Sequence, residues 1–168
     1  MQQPPEFLIR NTLEPGDLGQ VAALHGKVYS EEHDLGIGFE AYVMESLLEF
    51  YRAYDQRKDK VWVVESKGKL VGFVLLMHRP SNRAQLRYFI LEKGFRGLGI
   101  GSRLIDEWMK FYTESNYDAA YLYTTAGLDA AASLYLKMGF RKISEMKSRN
   151  FGVQLLEQYY ELISSNSR

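Results

Sequence analysis

Three glycines on alternate positions, Gly97, Gly99 and Gly101, lie in the stretch RGLGIGSRLI, after the apolar run LRYFIL and ahead of an amphipathic segment. A strand, a glycine turn and a helix in that order suit a phosphate or pyrophosphate. Without a Cβ the chain can approach a ligand closely, and the first N–H groups of the helix lack internal partners and point outward at it. The partial positive charge of a helix N-terminus, about half an elementary charge, acts in the same direction. Spacing sets aside two common phosphate binders. The Walker pattern ends in Gly-Lys-Ser/Thr, whereas Gly101-Ser102-Arg103 offers no lysine, and glycines at 97, 99 and 101 do not fit G-x-G-x-x-G. The same residues have a purely structural reading, in which Gly97 and Gly101 let a helix pack closely on a sheet.

Other chemistry is thinly represented. The histidines at 25, 33 and 78 are isolated from one another, and Glu32, His33 and Asp34 in SEEHD read as a solvated acidic loop, so no metal site is expected. Cysteine is absent, which removes disulfides, thiolate metal sites and a cysteine nucleophile together. The 21 lysines and arginines balance 21 aspartates and glutamates with no long run of one sign, so nucleic acid is not an expected partner. No apolar run approaches the roughly 18 residues that span a bilayer, and MQQPPEFLIR lacks the regions of a secretory signal, so a cytoplasmic protein without a membrane partner is expected. With 46% hydrophobic and 14% aromatic residues over 168 positions, the chain can build one sizeable core, and residues 1–168 are expected to form one domain.

The elements that must position the glycine segment follow from periodicity and punctuation. FLIRNTL predicts a strand, and PGD a turn in which Asp17 caps a helix from Leu18 to about Tyr29. SEEHDLGIG predicts a loop, and Phe39, Tyr42, Val43, Ser46, Leu47 and Phe50 share one face of a second helix, from about Phe39 to Tyr54. VWVVE and LVGFVLLMH, either side of SKGK, predict a hairpin, and AQLRYFIL a fourth strand. The glycine segment then opens a helix carrying Leu104, Ile105, Trp108, Met109 and Tyr112 on one face. AAYLYTT predicts a fifth strand, LDAAASLYLKM a short helix closed at Gly139, and FRKISEM with VQLLEQYYELI the last two strands. The order implies an α/β (α+β) domain in three layers, with a mixed sheet between helices.

Arg96-Gly97-Leu98-Gly99-Ile100-Gly101 resembles the Arg/Gln-x-x-Gly-x-Gly/Ala signature of the GNAT superfamily of acyl-CoA N-acyltransferases. ASLYLKMGF, further along, resembles that superfamily's second signature, a Leu-Tyr pair on a short helix ending in Gly-Phe. The likeness runs from IRNTLEPGDLG to EQYYEL and is nearest to the acetyltransferase halves fused to MarR-type regulators, whose DNA-binding half has no counterpart here.

The resemblance implies a GNAT-like, mostly antiparallel sheet with helices on both faces, and acetyl-CoA as cosubstrate. It implies a pyrophosphate cradle from Arg96, Gly97, Leu98, Gly99, Ile100, Gly101 and Ser102, mostly through main chain. It implies that the pantetheine arm runs beside Phe89, Ile90 and Leu91, with a main-chain N–H polarising the thioester carbonyl. Tyr135 matches the tyrosine of the second signature, and a tyrosine hydroxyl, with an ordinary pKa of about 10, stays protonated and can supply the departing thiolate. The other reading of Tyr135 is a core aromatic, since Leu128, Ala131, Tyr135 and Met138 follow helical spacing. Glu32 matches an acidic position of the regulator-fused relatives near the acceptor pocket, and the resemblance makes it the second candidate catalytic residue, a carboxylate that could take the amine's proton. Many family members carry asparagine seven residues before the tyrosine, where this chain has Leu128.

The implied activity is direct transfer of an acetyl group to a primary amine of a small molecule or peptide, by a monomer or homodimer. The alternative is a module of the same fold that binds acyl-CoA without turnover. No carboxylate lies in AQLRYFIL to act as general base.

Overall fold

The computed structural model describes residues 5–163, with seven strands and four helices. In chain order these are β1 (Leu8–Arg10), α1 (Asp17–His33), α2 (Ile37–Ala53), β2 (Lys60–Ser66), β3 (Lys69–Arg79), β4 (Arg83–Leu91), α3 (Ile100–Glu114), β5 (Ala119–Thr125), α4 (Asp129–Lys137), β6 (Arg141–Ser148) and β7 (Leu155–Ile163). All seven strands join one sheet in the order β1-β2-β3-β4-β5-β7-β6, antiparallel except where β4 meets β5.

The sheet is covered on both faces, which is why LVGFVLLM reads as an unbroken apolar run. Val61, Val63, Leu70, Phe73, Leu75 and Met77 pack under α1 and α2, while Trp62, Val64, Val71, Val74 and Leu76 pack under α3. On α3 the buried residues Ile100, Leu104, Ile105, Trp108 and Tyr112 recur at helical spacing and form the stripe facing the sheet. The Trp108 indole N–H, fully buried, donates to the Leu75 carbonyl at 3.2 Å, so α3 is pinned to β3 by a satisfied polar contact as well as by area.

The start and end of α1 differ from the sequence expectation. Its N-cap is Gly16, at φ 100°, and Asp17 is the first helical residue. The Asp17 carboxylate instead accepts the Glu14 amide N–H at 2.6 Å and two guanidinium N–H groups of Arg10 at 2.6 and 2.8 Å, tying β1 to α1. The helix also runs past Tyr29 to His33, so Glu32 lies on its last turn and not in a loop. Two features extend it. Tyr29 and His33 pack ring to ring at 5.2 Å one turn apart, and Asp34, in the left-handed conformation, closes the helix by donating its N–H to the Tyr29 carbonyl.

Burial alone would raise the Asp17 pKa, and the hydrogen bonds from Arg10 and Glu14 together with the Arg10 charge outweigh it and lower it. A depressed carboxyl contributes stability above its unfolded value, near 3.9, and that contribution is lost as pH falls through the folded value. Asp17→Ala is therefore expected to cost about 3 kcal/mol at pH 7, since Arg10 is left without its main partner. Denaturation at pH 7 and at pH 3 should show the gap between wild type and variant shrinking at the lower pH.

Candidate active site

The site is built where the sheet comes apart. β4 pairs with β5 only through Arg83↔Ala119, Ala84↔Ala120 and Gln85↔Tyr121. Beyond Gln85, β4 continues along β3 and β5 continues along β7, so the two strands diverge and leave a wedge between them. Strand edges inside such a wedge hold backbone groups without a ladder partner, ready to pair with an extended ligand.

A bulge sharpens this. Phe73 opposes Ile90 while Leu75 opposes Arg87, so Tyr88 and Phe89 together face the single residue Val74. Tyr88 holds φ 56°, a left-handed conformation that is rare for an aromatic residue. Its hydroxyl lies 2.7 Å from Ser46 Oγ on α2, and because Ser46 donates to the Val43 carbonyl, Tyr88 is the donor in that pair. A bulge leaves an unpaired residue and a re-aimed backbone, here at the mouth of the wedge.

Two cavities open on the wedge and share Tyr29, Phe89, Leu128 and Ala131. The larger, of about 630 Å³, is walled by Phe89, Ile90 and Leu91 of β4 and by Arg96, Gly97, Gly99, Gly101 and Ser102 of the glycine segment. The smaller, of about 460 Å³, lies towards α2 and β7 and contains Tyr135, with His25, Arg87 and Glu157.

Gly97 and Gly99 take φ 74° and 78°, and a Cβ on either would point into open space. Gly97 therefore stands outside the helix and does not pack it against the sheet; that contact belongs to Gly101 alone, near Phe89, Leu91 and Leu134. Gly99 is the N-cap of α3 and no side chain bonds the first-turn N–H groups, nor does that turn carry an acidic residue. Unpaired donors, an open cradle and the helix dipole all favour an anion at this point. Of the expected cradle residues, Leu98 is exposed and Ile100 is buried in the core, so neither side chain lines the cavity.

Arg96 turns across the entrance of the larger cavity. Its Nε donates to the Leu91 carbonyl at 3.0 Å, and Nη1 donates to both carboxylate oxygens of Glu32 at 2.9 and 3.0 Å. Glu32 thus lies with the glycine segment, whereas the carboxylate lining the smaller cavity is Glu157, whose Oε1 accepts from Asn150 at 3.1 Å.

The second signature has a structural cause that can be read atom by atom. The Phe140 N–H donates to the Tyr135 carbonyl and the Gly139 N–H to the Leu136 carbonyl, each at 3.0 Å, with Gly139 at φ 94°. This is the Schellman arrangement, and its accompanying apolar contact is the one between the Tyr135 and Phe140 rings, 6.4 Å apart. Gly-Phe therefore closes α4 and braces Tyr135, which also meets Phe89 at 6.3 Å across the wedge. Burial, with smaller contributions from Tyr29 and Tyr160, pushes the Tyr135 hydroxyl far above the ordinary tyrosine range, so it holds its proton. Tyr29 is raised for the same first reason, burial, and then by Glu32, with Arg96 acting against both.

His25 escaped the sequence reading because an isolated histidine on an apolar helix face carries no signal. Burial lowers its pKa to about 4; the Val21 carbonyl acts against this and the Arg87 charge adds to it. At pH 7 it is neutral, with Nδ1 donating to Val21 at 2.8 Å and Nε2 left as an acceptor. Among the described residues no group of three or more His, Asp or Glu side chains is arranged to hold a metal ion.

The sequence model described as the acetyltransferase (GNAT) family matches residues 28–140, which include α2, the wedge, the glycine segment and α4. The chain belongs to the GNAT family. Among relatives, N-acetylaspartate synthetase of Danio rerio is 38% identical over 85 residues, 50% of this chain and 30% of that protein. A GNAT acetyltransferase structure from Staphylococcus aureus Mu50 superposes with a TM-score of 0.72 at 20% identity, covering 94% of this chain and 99% of that one, a likeness of fold. A Bacillus anthracis acetyltransferase crystallised with acetyl coenzyme A superposes with a TM-score of 0.57 at 21% identity over 69% of this chain and 68% of its own. The chain spans 30%, 56% and 60% of the length of three of the curated relatives it matches.

Proposed function

We propose that this GNAT-family chain is one catalytic domain that transfers an acetyl group from acetyl-CoA to a primary amine, directly and within a ternary complex. The observation that carries the reading is the meeting of two cavities at Phe89, Tyr29, Leu128 and Ala131, one walled by the glycine segment and the other by Tyr135 and polar side chains. Two reactants held on either side of one junction gain the advantage of proximity, and no covalent enzyme intermediate is required.

Acetyl-CoA fits the larger cavity on this chain's own features. The open positions at Gly97 and Gly99 and the uncapped N-terminus of α3 suit its pyrophosphate, with Arg96 and Ser102 beside it. The unpaired edge of β4 at Phe89, Ile90 and Leu91 suits its extended arm, and Leu128, at the position where many relatives have asparagine, contributes only apolar contact. The bulge at Tyr88 and Phe89 re-aims backbone donors toward the junction, where negative charge develops on the thioester oxygen. As the amine nitrogen bonds to the acetyl carbon and the carbon–sulfur bond breaks, Tyr135 gives its proton to the departing sulfur. Glu157, directly or through water, takes the proton that the amine releases. Glu32 acts at the other mouth, where it holds Arg96 against the glycine segment.

The reading includes a cytoplasmic protein, with a likeness to the acetyltransferase halves fused to MarR-type regulators, acting as a monomer or homodimer on a small-molecule or peptide amine. Among the described residues no helix is long and apolar enough to cross a membrane. Isothermal titration with acetyl-CoA is expected to show one site per chain, and thiol release in the presence of amines is expected to exceed release without them. Absence of binding at millimolar ligand refutes the proposal, and binding without amine-dependent release favours the non-catalytic acyl-CoA module.

A further inference from the structure

The smaller cavity contains a cation that the protein leaves without a counter-ion. Arg87, half-buried on β4 just before the bulge, forms no ion pair and no hydrogen bond through its side chain among the described residues; its guanidinium carbon stands 4.8 Å from the Tyr88 ring centroid. Three other arginines of the sheet are answered by carboxylates, Arg10 by Asp17 and Glu65, Arg79 by Glu49, and Arg83 by Glu161, while Arg141 on β6 stands exposed to solvent. Glu157, the carboxylate in the same cavity, is engaged by Asn150 and not by Arg87. A guanidinium partly withdrawn from water and facing a cavity is an incomplete pair, and its planar donors match a carboxylate. The Arg87 charge also opposes protonation of His25, so at neutral pH Arg87 is the cation beside a neutral imidazole.

Another part of the lining is aromatic. Phe151 packs against Phe39 at 5.1 Å and against Tyr42 at 5.0 Å, giving an aromatic corner without a charged group of its own. Along β4, Arg87 and Phe89 are two residues apart, at most about 6–7 Å between their Cα atoms at strand rise. An α-amino acid, whose carboxylate and amine share one carbon, can set its carboxylate against the long Arg87 side chain with its amine near Phe89, leaving Phe39, Tyr42 and Phe151 for its side chain.

We propose that the acceptor is an α-amino acid with an apolar or aromatic side chain, whose free carboxylate pairs with Arg87 while its amine meets the thioester at the junction of the two cavities. The inference rests on the acetyl-transfer reading and names the substrate class of that site. Its product is an N-acetylated amino acid that keeps the carboxylate.

The test uses acetyl-CoA with matched acceptors that differ only at the acid group: L-phenylalanine, L-phenylalaninamide and 2-phenylethylamine, and L-leucine with isoamylamine. The expected result is a kcat/KM for the free acids at least about tenfold above that for the neutral partners, as the loss of one charge-assisted pair implies. In Arg87→Met that preference is expected to collapse, and in Arg87→Lys to return in part, with acetyl-CoA affinity retained in both. Equal or better use of the neutral amines by the wild type, or a preference that survives in Arg87→Met, overturns the carboxylate inference and leaves acetyl transfer standing. Acetyl-CoA binding with no turnover of any amine overturns the transfer reading and the inference with it. The wild-type comparison decides alone if a variant fails to fold.

Discussion

Gly99→Val is expected to lower acetyl-CoA affinity by about 100-fold or more while the domain stays folded. Gly99 sits at φ 78° as the N-cap of α3, and nothing lies within 4 Å of the position a Cβ would take. The new Cβ therefore meets no protein atom, and the side chain enters the open cradle, where a phosphate must come against the first-turn N–H groups. The left-handed backbone conformation costs about 1–2 kcal/mol in a residue with a Cβ, equivalent to a fall in Tm of about 2–8 °C. Titration calorimetry and a thermal melt on the same sample separate the two effects. Gly101→Val checks the assignment from a second direction. Gly101 is helical, and its Cβ would meet Phe89, Leu91 and Leu134 at 3.5, 3.6 and 3.8 Å, so the change fills the cavity wall without straining the backbone. Unchanged affinity in a folded Gly101→Val protein would refute the cradle.

Tyr135→Phe is expected to lower kcat by roughly 10²–10⁴-fold and to leave the acetyl-CoA dissociation constant within about twofold. The side chain is 5% exposed and braced by the Schellman closure of α4, so phenylalanine occupies the same space and packing is preserved. What is lost is one proton donor in the smaller cavity, next to Phe89 of the junction. Because burial holds the hydroxyl protonated far above neutrality, the wild-type rate should show no limb from Tyr135 between pH 6 and 9. A tyrosine that served packing alone would leave kcat intact on this substitution. Steady-state kinetics with a saturating amine, paired with titration of acetyl-CoA, reads the two constants independently.

The two signatures were legible in the chain because each encodes local backbone geometry. RGLGIG demands left-handed φ at Gly97 and Gly99, and LYLKMGF spells out a helix closure in which Gly139 turns left-handed and Phe140 folds back on Tyr135. Alternation and helical spacing likewise implied all seven strands and four helices in their order, since burial on both faces of one sheet writes itself into apolar runs. The errors fell at α1, where long-range contacts override local preference. Arg10 draws the Asp17 side chain away from a capping role, and the tilted ring contact of Tyr29 with His33 carries the helix through residues that read as loop, moving Glu32 onto it.

By itself, then, the sequence determined the family, the element order and the glycine turn that opens α3, because these depend on spacing along the chain. Only the tertiary structure decided what faces the second cavity. Arg87, His25 and Glu157 come from β4, α1 and β7, far apart in sequence, and meet because β4 and β5 separate after three paired residues and a bulge turns Tyr88 out of register. No periodicity records that separation, since it arises from strand pairing across the sheet.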